Sequence, residues 1–275
     1  MASFRDRAGA GLFVAFAAVA IVFLVLPIVG IFIHTTPGRL LDQLSNPVVE
    51  DAFVVTAKTS VVAQALVLLF GTPTAYLLAT RRFRGRSVAV TLVELPLVLP
   101  PAVAGIGLLA ALGRSGLLHT SLPFTQSAVV VAVAYVASPL YIRQAIAAFE
   151  AVDPRLPAAS RTLGAGPART FFRVMLPLAR GGLIAGLALS FARGLGEFGA
   201  TIMFAGSLQH VTQTLSTAIY YEFDVAGVGL DEPLAMGGVL VVVSAVLLLT
   251  LRIALSWQRS PSNTSPSLFG LSTSR

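Results

Sequence analysis

Cysteine is absent from this chain, lysine and tryptophan occur once each, and histidine occurs three times in 275 residues. Without cysteine there is no disulfide, no thiol nucleophile and no thiolate metal site. His34, His119 and His210 lie far apart and lack ligand spacing, so neither a metal nor another cofactor is expected. The single lysine, Lys58, sits in VVTAKTS with no glycine before it. A phosphate-cradling loop needs glycines followed by Lys and Ser/Thr, so that backbone N–H groups wrap the phosphates. This chain therefore does not hold ATP in that way. No nucleophile–base pair stands out, so no catalytic residue and no enzymatic activity are expected. Charge is scarce as well: 11% of residues are charged, against about a quarter in soluble domains.

What fills the space is apolar: 56% of residues are hydrophobic and the mean hydropathy is +0.85. A spanning helix needs about 20 mostly apolar residues. Six stretches qualify, approximately Gly11–Ile33, Val54–Ala79, Ser87–Leu112, Ser127–Ala148, Leu178–Phe204 and Leu234–Leu255. The expected fold is all-α, a multi-pass protein in a lipid bilayer, with a six-span transmembrane domain over residues 11–255. The first run is longer than the apolar part of a signal peptide, so it reads as a retained anchor. The segment from 256 to 275, rich in Ser and Pro, reads as a disordered tail.

The net charge of +7 comes from arginines that flank apolar spans, which points to topology and not to nucleic acid. Arg5 and Arg7 precede span one, Arg81, Arg82, Arg84 and Arg86 follow span two, and Arg155, Arg161, Arg169, Arg173 and Arg180 surround the loop before span five. The tail carries Arg252, Arg259 and Arg275, whereas the opposite loops hold only Arg39 and Arg114. The positive-inside rule then puts both termini, including residues 1–10, and the loop at 153–177 in the cytoplasm of a cell-membrane protein.

That loop contains LPAASRTLGAGPARTFFRVMLPL, Leu156 to Leu178. Asp153-Pro154 caps a short helix, Gly164, Gly166 and Pro167 break it, and a second helical piece runs from Ala168 to Met175. Leu163, Phe171 and Phe172 are expected to face a cleft. Read from pattern alone, the stretch also fits an amphipathic helix lying on the membrane surface.

Gly164, nine residues, then Val174-Met175-Leu176-Pro177 resembles the loop of the permease subunits of ABC importers. Their pattern is Glu-Ala-Ala, three residues, Gly, nine residues, Ile/Val, any residue, Leu-Pro. The Glu-Ala-Ala falls on Ala158-Ala159-Ser160, so the acidic residue is missing here. TPTAYLLATRRFRGR (Thr72–Arg86), ELPLVLPPAVAGIGLL (Glu94–Leu109), RGLGEFGATIMFAG (Arg193–Gly206) and TQTLSTAIY (Thr212–Tyr220) are similar to the molybdate permease subunits within that family. Sulfate permeases share a Leu-Gly-Glu-Phe-Gly run. The resemblance implies a type I permease fold and a homodimer. It also implies two copies of an ATP-binding subunit and an extracytoplasmic oxyanion-binding protein. It implies that Ala158, Ala159, Ser160, Gly164, Ala165, Phe171, Val174, Leu176 and Pro177 couple to the ATPase. Molybdate is the expected cargo, with sulfate, thiosulfate or tungstate as alternatives. A self-sufficient ion-coupled transporter is the alternative of a different class.

Arg193 and Glu197 are four residues apart, so they share a helix face, and ionisable residues at membrane depth mark functional sites. With Ser190 and Thr201 they are candidates for lining the pathway; the opposing reading is a structural ion pair, with Gly194, Gly196 and Gly199 serving close packing. Pro100 and Pro101, with Pro96, are expected to kink span three and join the pathway candidates. Glu94 and Lys58 are each expected to pair across helices, with each other as one option. The segment Gln209–Tyr221 reads as a short outer helix.

Overall fold

In the computed structural model, residues 4–225 and 229–257 are described, and among them every regular element is helical. The helices are α1 (Phe4–His34), α2 (Pro37–Leu44), α3 (Pro47–Thr80), α4 (Arg86–Val98), α5 (Pro101–Leu112) and α6 (Gln126–Glu150). Then come α7 (Arg155–Thr162), α8 (Pro167–Thr170), α9 (Leu176–Leu195), α10 (Gly199–Phe204), α11 (Leu215–Tyr220) and α12 (Asp231–Trp257). A π-turn, Phe171–Met175, joins α8 to α9 without a break, and a second covers Tyr221–Val225. The tail from 258 onward lies outside the described residues.

Five helices are long and apolar enough to cross a membrane: Leu12–His34, Pro47–Thr80, Gln126–Glu150, Pro167–Leu195 and Asp231–Thr250. The expected third span is the sixth, and it is not one helix. α4 and α5 are bent by 115° at Leu99-Pro100, far more than a kink. Leu99 and Pro100 are extended, as a residue before proline prefers, and Pro101 starts the next helix at a position where its missing N–H costs nothing. Span five also departs from expectation. Its helix begins inside the loop, at Pro167, and ends at Leu195; residues Gly196–Phe198 interrupt it before α10. The first helix likewise extends back to Phe4, beyond the expected start of span one at Gly11.

α6 is the axis of the bundle, packed by α3 on one side and α9 on another, with α4, α5 and α10 around its length. Its buried face mixes small and large residues; Ala128, Ala132, Ala137 and Ala145 are fully covered, beside Tyr141 and Phe149. Lipid tails are as apolar as these side chains, so close backbone approach and not hydrophobic expulsion holds such helices together. Buried polar groups add specific ties. Gln64 of α3 donates to Leu187 O of α9 (3.4 Å), and Ser190 donates to Ala137 O of α6 (3.1 Å). Thr56 Oγ1 on α3 accepts from Leu215 N (2.9 Å), fixing the start of α11. Asn46 and Thr125 cap α3 and α6 through their side-chain oxygens.

Candidate functional site: the basic loop and the broken helix

The loop between α6 and α9 is shaped as the sequence requires. Asp153 Oδ1 accepts from Arg155 N (2.9 Å) at the start of α7. Gly164 ends α7 with φ +83°, while Gly164 N donates to Arg161 O and Ala165 N to Ser160 O. This is a left-handed helix stop, which a side chain at Gly164 would strain by about 1–2 kcal/mol. No atom lies within 4 Å of where its Cβ would be, so the constraint is in the backbone and not in crowding. Ser160, in the third position of the expected Glu-Ala-Ala triplet, shares a hydrogen bond with the fully buried Thr170 (3.2 Å), tying α7 to α8.

Of the three apolar residues expected to face a cleft, Leu163 is 88% exposed and Phe172 64%. Phe171 corrects the third expectation. It is half-buried in an aromatic group with Tyr76 (centroids 4.8 Å) and Phe149 (6.2 Å), because the π-turn rotates it onto α3 and α6. It anchors the loop, with part of its ring left exposed. Ala158 and Ala159 are exposed on α7, Ala165 and Val174 are half-covered, and Leu176-Pro177 begin α9. Tyr76 and Phe149, absent from the sequence-based site, hold the loop's base. Arg86 fastens the same end of the bundle, its Nε donating to Leu78 O (2.7 Å) and its Nη2 meeting Glu150 (2.6 Å).

The other candidate group divides. Arg193 Nη1 lies 2.7 Å from Glu197 Oε2, with their side chains 34% and 1% exposed. Glu197 Oε1 also accepts from Ala200 N (2.8 Å), closing the first turn of α10. Its carboxylate is therefore a helix cap and an ion-pair partner at once, a role the spacing alone did not show. Ser190 and Thr201 are fully buried and face the helix packing, not an opening. Their place among pathway-lining residues is corrected on that ground. Pro100 and Pro101 are exposed at the α4–α5 bend. Gly199 meets Pro101 there: a Cβ on Gly199 would fall 2.8 Å from Pro101 Cβ, and one on Gly105 only 2.6 Å from Ala200 O. The glycines serve close packing of the two broken spans.

Lys58 and Glu94 do not pair with each other. Glu94 lies 3.7 Å from Arg143 of α6, and Lys58 is exposed. In the segment between α10 and α11, Thr212, Gln213 and Thr214 are buried, and Thr214 and Thr217 form a reciprocal cap on α11.

Residues 71–258 match the family described as the binding-protein-dependent transport system inner membrane component. The chain belongs to that family. It is accordingly a multi-pass membrane permease subunit whose family works with an ATPase and a substrate-binding protein, and the ion-coupled alternative falls away. A probable molybdenum ABC transporter permease protein of Haloferax volcanii is 40% identical over 241 residues, covering 86% of this chain and 88% of that one. A molybdate/tungstate transport system permease protein of Methanocaldococcus jannaschii is 32% identical, covering 85% and 92%. Among solved structures, a bacterial ABC transporter involved in import of the polysaccharide alginate shares the fold, with a TM-score of 0.65 at 16% identity, over 94% of this chain and 99% of that one. The type I permease architecture expected from the sequence is the one observed.

Proposed function

We propose that this chain is the membrane-spanning subunit of an ATP-driven importer that carries molybdate. The observation that carries the reading is the exposed, glycine-stopped α7, joined through α8 and a π-turn to a long spanning helix. Substrate identity is supported by the relatives named for molybdenum and for molybdate/tungstate. The chain works as a homodimer, with two ATPase subunits in the cytoplasm and an oxyanion-binding protein outside. Both termini and the loop at 153–177 are cytoplasmic, a placement supported by the arginine distribution. ATP binding draws the ATPases together, α7 follows, and the movement shifts the balance between inward- and outward-open states. Arg193, one-third exposed, is the pathway candidate that a dianion would meet first. Tungstate is a second cargo by the same chemistry, since it matches molybdate in charge, shape and size, whereas sulfate is a smaller tetrahedral dianion.

The test is uptake into vesicles containing this chain, its ATPase and its binding protein. Labelled molybdate should enter only with ATP, with tungstate competing and sulfate not. Gly164→Val should leave membrane insertion intact and separate ATP hydrolysis from uptake, through its φ of +83°. Uptake by the chain alone, driven by a pH gradient, would overturn the proposal.

A further inference from the structure

Between the C-terminal ends of α3 and α6 and the inner side of α7 lies a cleft of about 560 Å³. Its floor is apolar, with Tyr76, Phe149 and Met175; its rim carries Arg81, Arg82, Arg86 and Arg161. Ala158, standing where the family pattern has glutamate, lines the same cleft. Arg86 is held by Glu150, but among the described residues none of Arg81, Arg82 and Arg161 forms an ion pair with a carboxylate. The imbalance is wider than the cleft. Segments 81–86 and 150–180 contain nine arginines against Glu150 and Asp153, which equals the whole formal excess of +7; elsewhere ten basic residues meet ten acidic ones.

We infer that an acidic side chain of the ATPase subunit enters this cleft, so that the docking charges run opposite to the family's usual sense. Arginines stand on the permease and the carboxylate on its partner. The inference rests on the reading of α7 as the ATPase-docking element. The cleft's rim is continuous with that element, since Arg161 is two residues from the exposed Leu163 at the tip of α7. Three uncompensated arginines repel one another, and an apolar floor lowers the local dielectric, so an entering carboxylate gains more there than on an open surface. A glutamate at 158 would have filled that place from within; alanine leaves it open.

The decisive variant is Ala158→Glu, which puts a carboxylate one turn from Arg161 and satisfies the rim internally. Measured on the chain purified with its ATPase, Ala158→Glu and the triple variant R81A/R82A/R161A should each weaken ATPase retention about tenfold, the combined effect of a few partly exposed charge contacts. The loss should shrink at high salt, with insertion and oligomeric size unchanged. Charge reversal of the partner's acidic residue should weaken docking to the wild type and restore it to an acid-substituted rim. Unchanged or tighter docking of Ala158→Glu overturns the inference. So does a triple-variant effect that appears in anionic vesicles and vanishes in neutral lipid, which would assign the rim to lipid headgroups. If the wild-type chain retains no ATPase at all, the permease reading fails first and the inference with it.

Discussion

Spans three and five are both interrupted, and their short halves, α5 and α10, pack against each other, yet they are broken by opposite means. At Leu99-Pro100 the break is written in the backbone: two adjacent prolines have no N–H to leave unsatisfied, and the chain turns through 115°. At Gly196–Phe198 it depends on one side chain. Glu197, almost wholly buried, caps α10 with one oxygen and meets Arg193 with the other. The first kind of break is insensitive to what surrounds it. The second is only as good as a single carboxylate, and that difference sets how each should respond to substitution.

The largest effect should follow Glu197→Ala. It removes the cap and leaves Arg193 without its partner, at a cost of about 3 kcal/mol, the low end for a buried pair because Arg193 still reaches solvent. Thermal unfolding in detergent measures it, and Glu197→Gln, which retains a capping oxygen, should fall between. Next comes the contact where the breaks meet. Gly105→Val would drive a methyl-bearing carbon against Ala200 O, 2.6 Å from the Cβ position, and should cost about 1–3 kcal/mol by overpacking. Smallest should be Pro100→Ala, less than about 1 kcal/mol, because Pro101 alone keeps α5 from joining α4. If Pro100→Ala proves as damaging as Glu197→Ala, the contrast between a backbone break and a side-chain break is wrong.

The legibility of the sequence followed the same divide. Proline announces itself, so the disruption of span three was foreseen, although its angle was not; nothing in a run of apolar letters encodes how far two half-helices turn. The break in span five was missed because Leu178–Phe204 is long and mostly apolar, with no proline inside it after Leu178, and its glycines are equally suited to packing. The signal was present in Glu197, three residues before Ala200 and preceded by glycine, a helix-start pattern read instead as a pair with Arg193 on the face of one continuous helix. Glu94 does pair across helices, but with Arg143 and not with Lys58; Arg143, lying inside the fourth apolar run, was left out of the account. The basic loop between α6 and α9 was legible in outline, since a glycine stop and fixed spacing are local properties. Phe171 was not, because which way an aromatic turns depends on a π-turn and on Tyr76 and Phe149, distant in sequence.

The uninterrupted helix from Pro167 to Leu195 has a mechanical meaning. Its 29 residues make a rod of about 44 Å, with Phe172 near one end and the Gly196 break just past the other. No joint intervenes; the wide π-turn adds girth, not slack. A sideways push of about 3 Å at the Phe172 end, with the far end held, tilts such a rod by about 4°. The strain then arrives undamped at the one place along it that can give, where Glu197 holds two helical pieces at an angle.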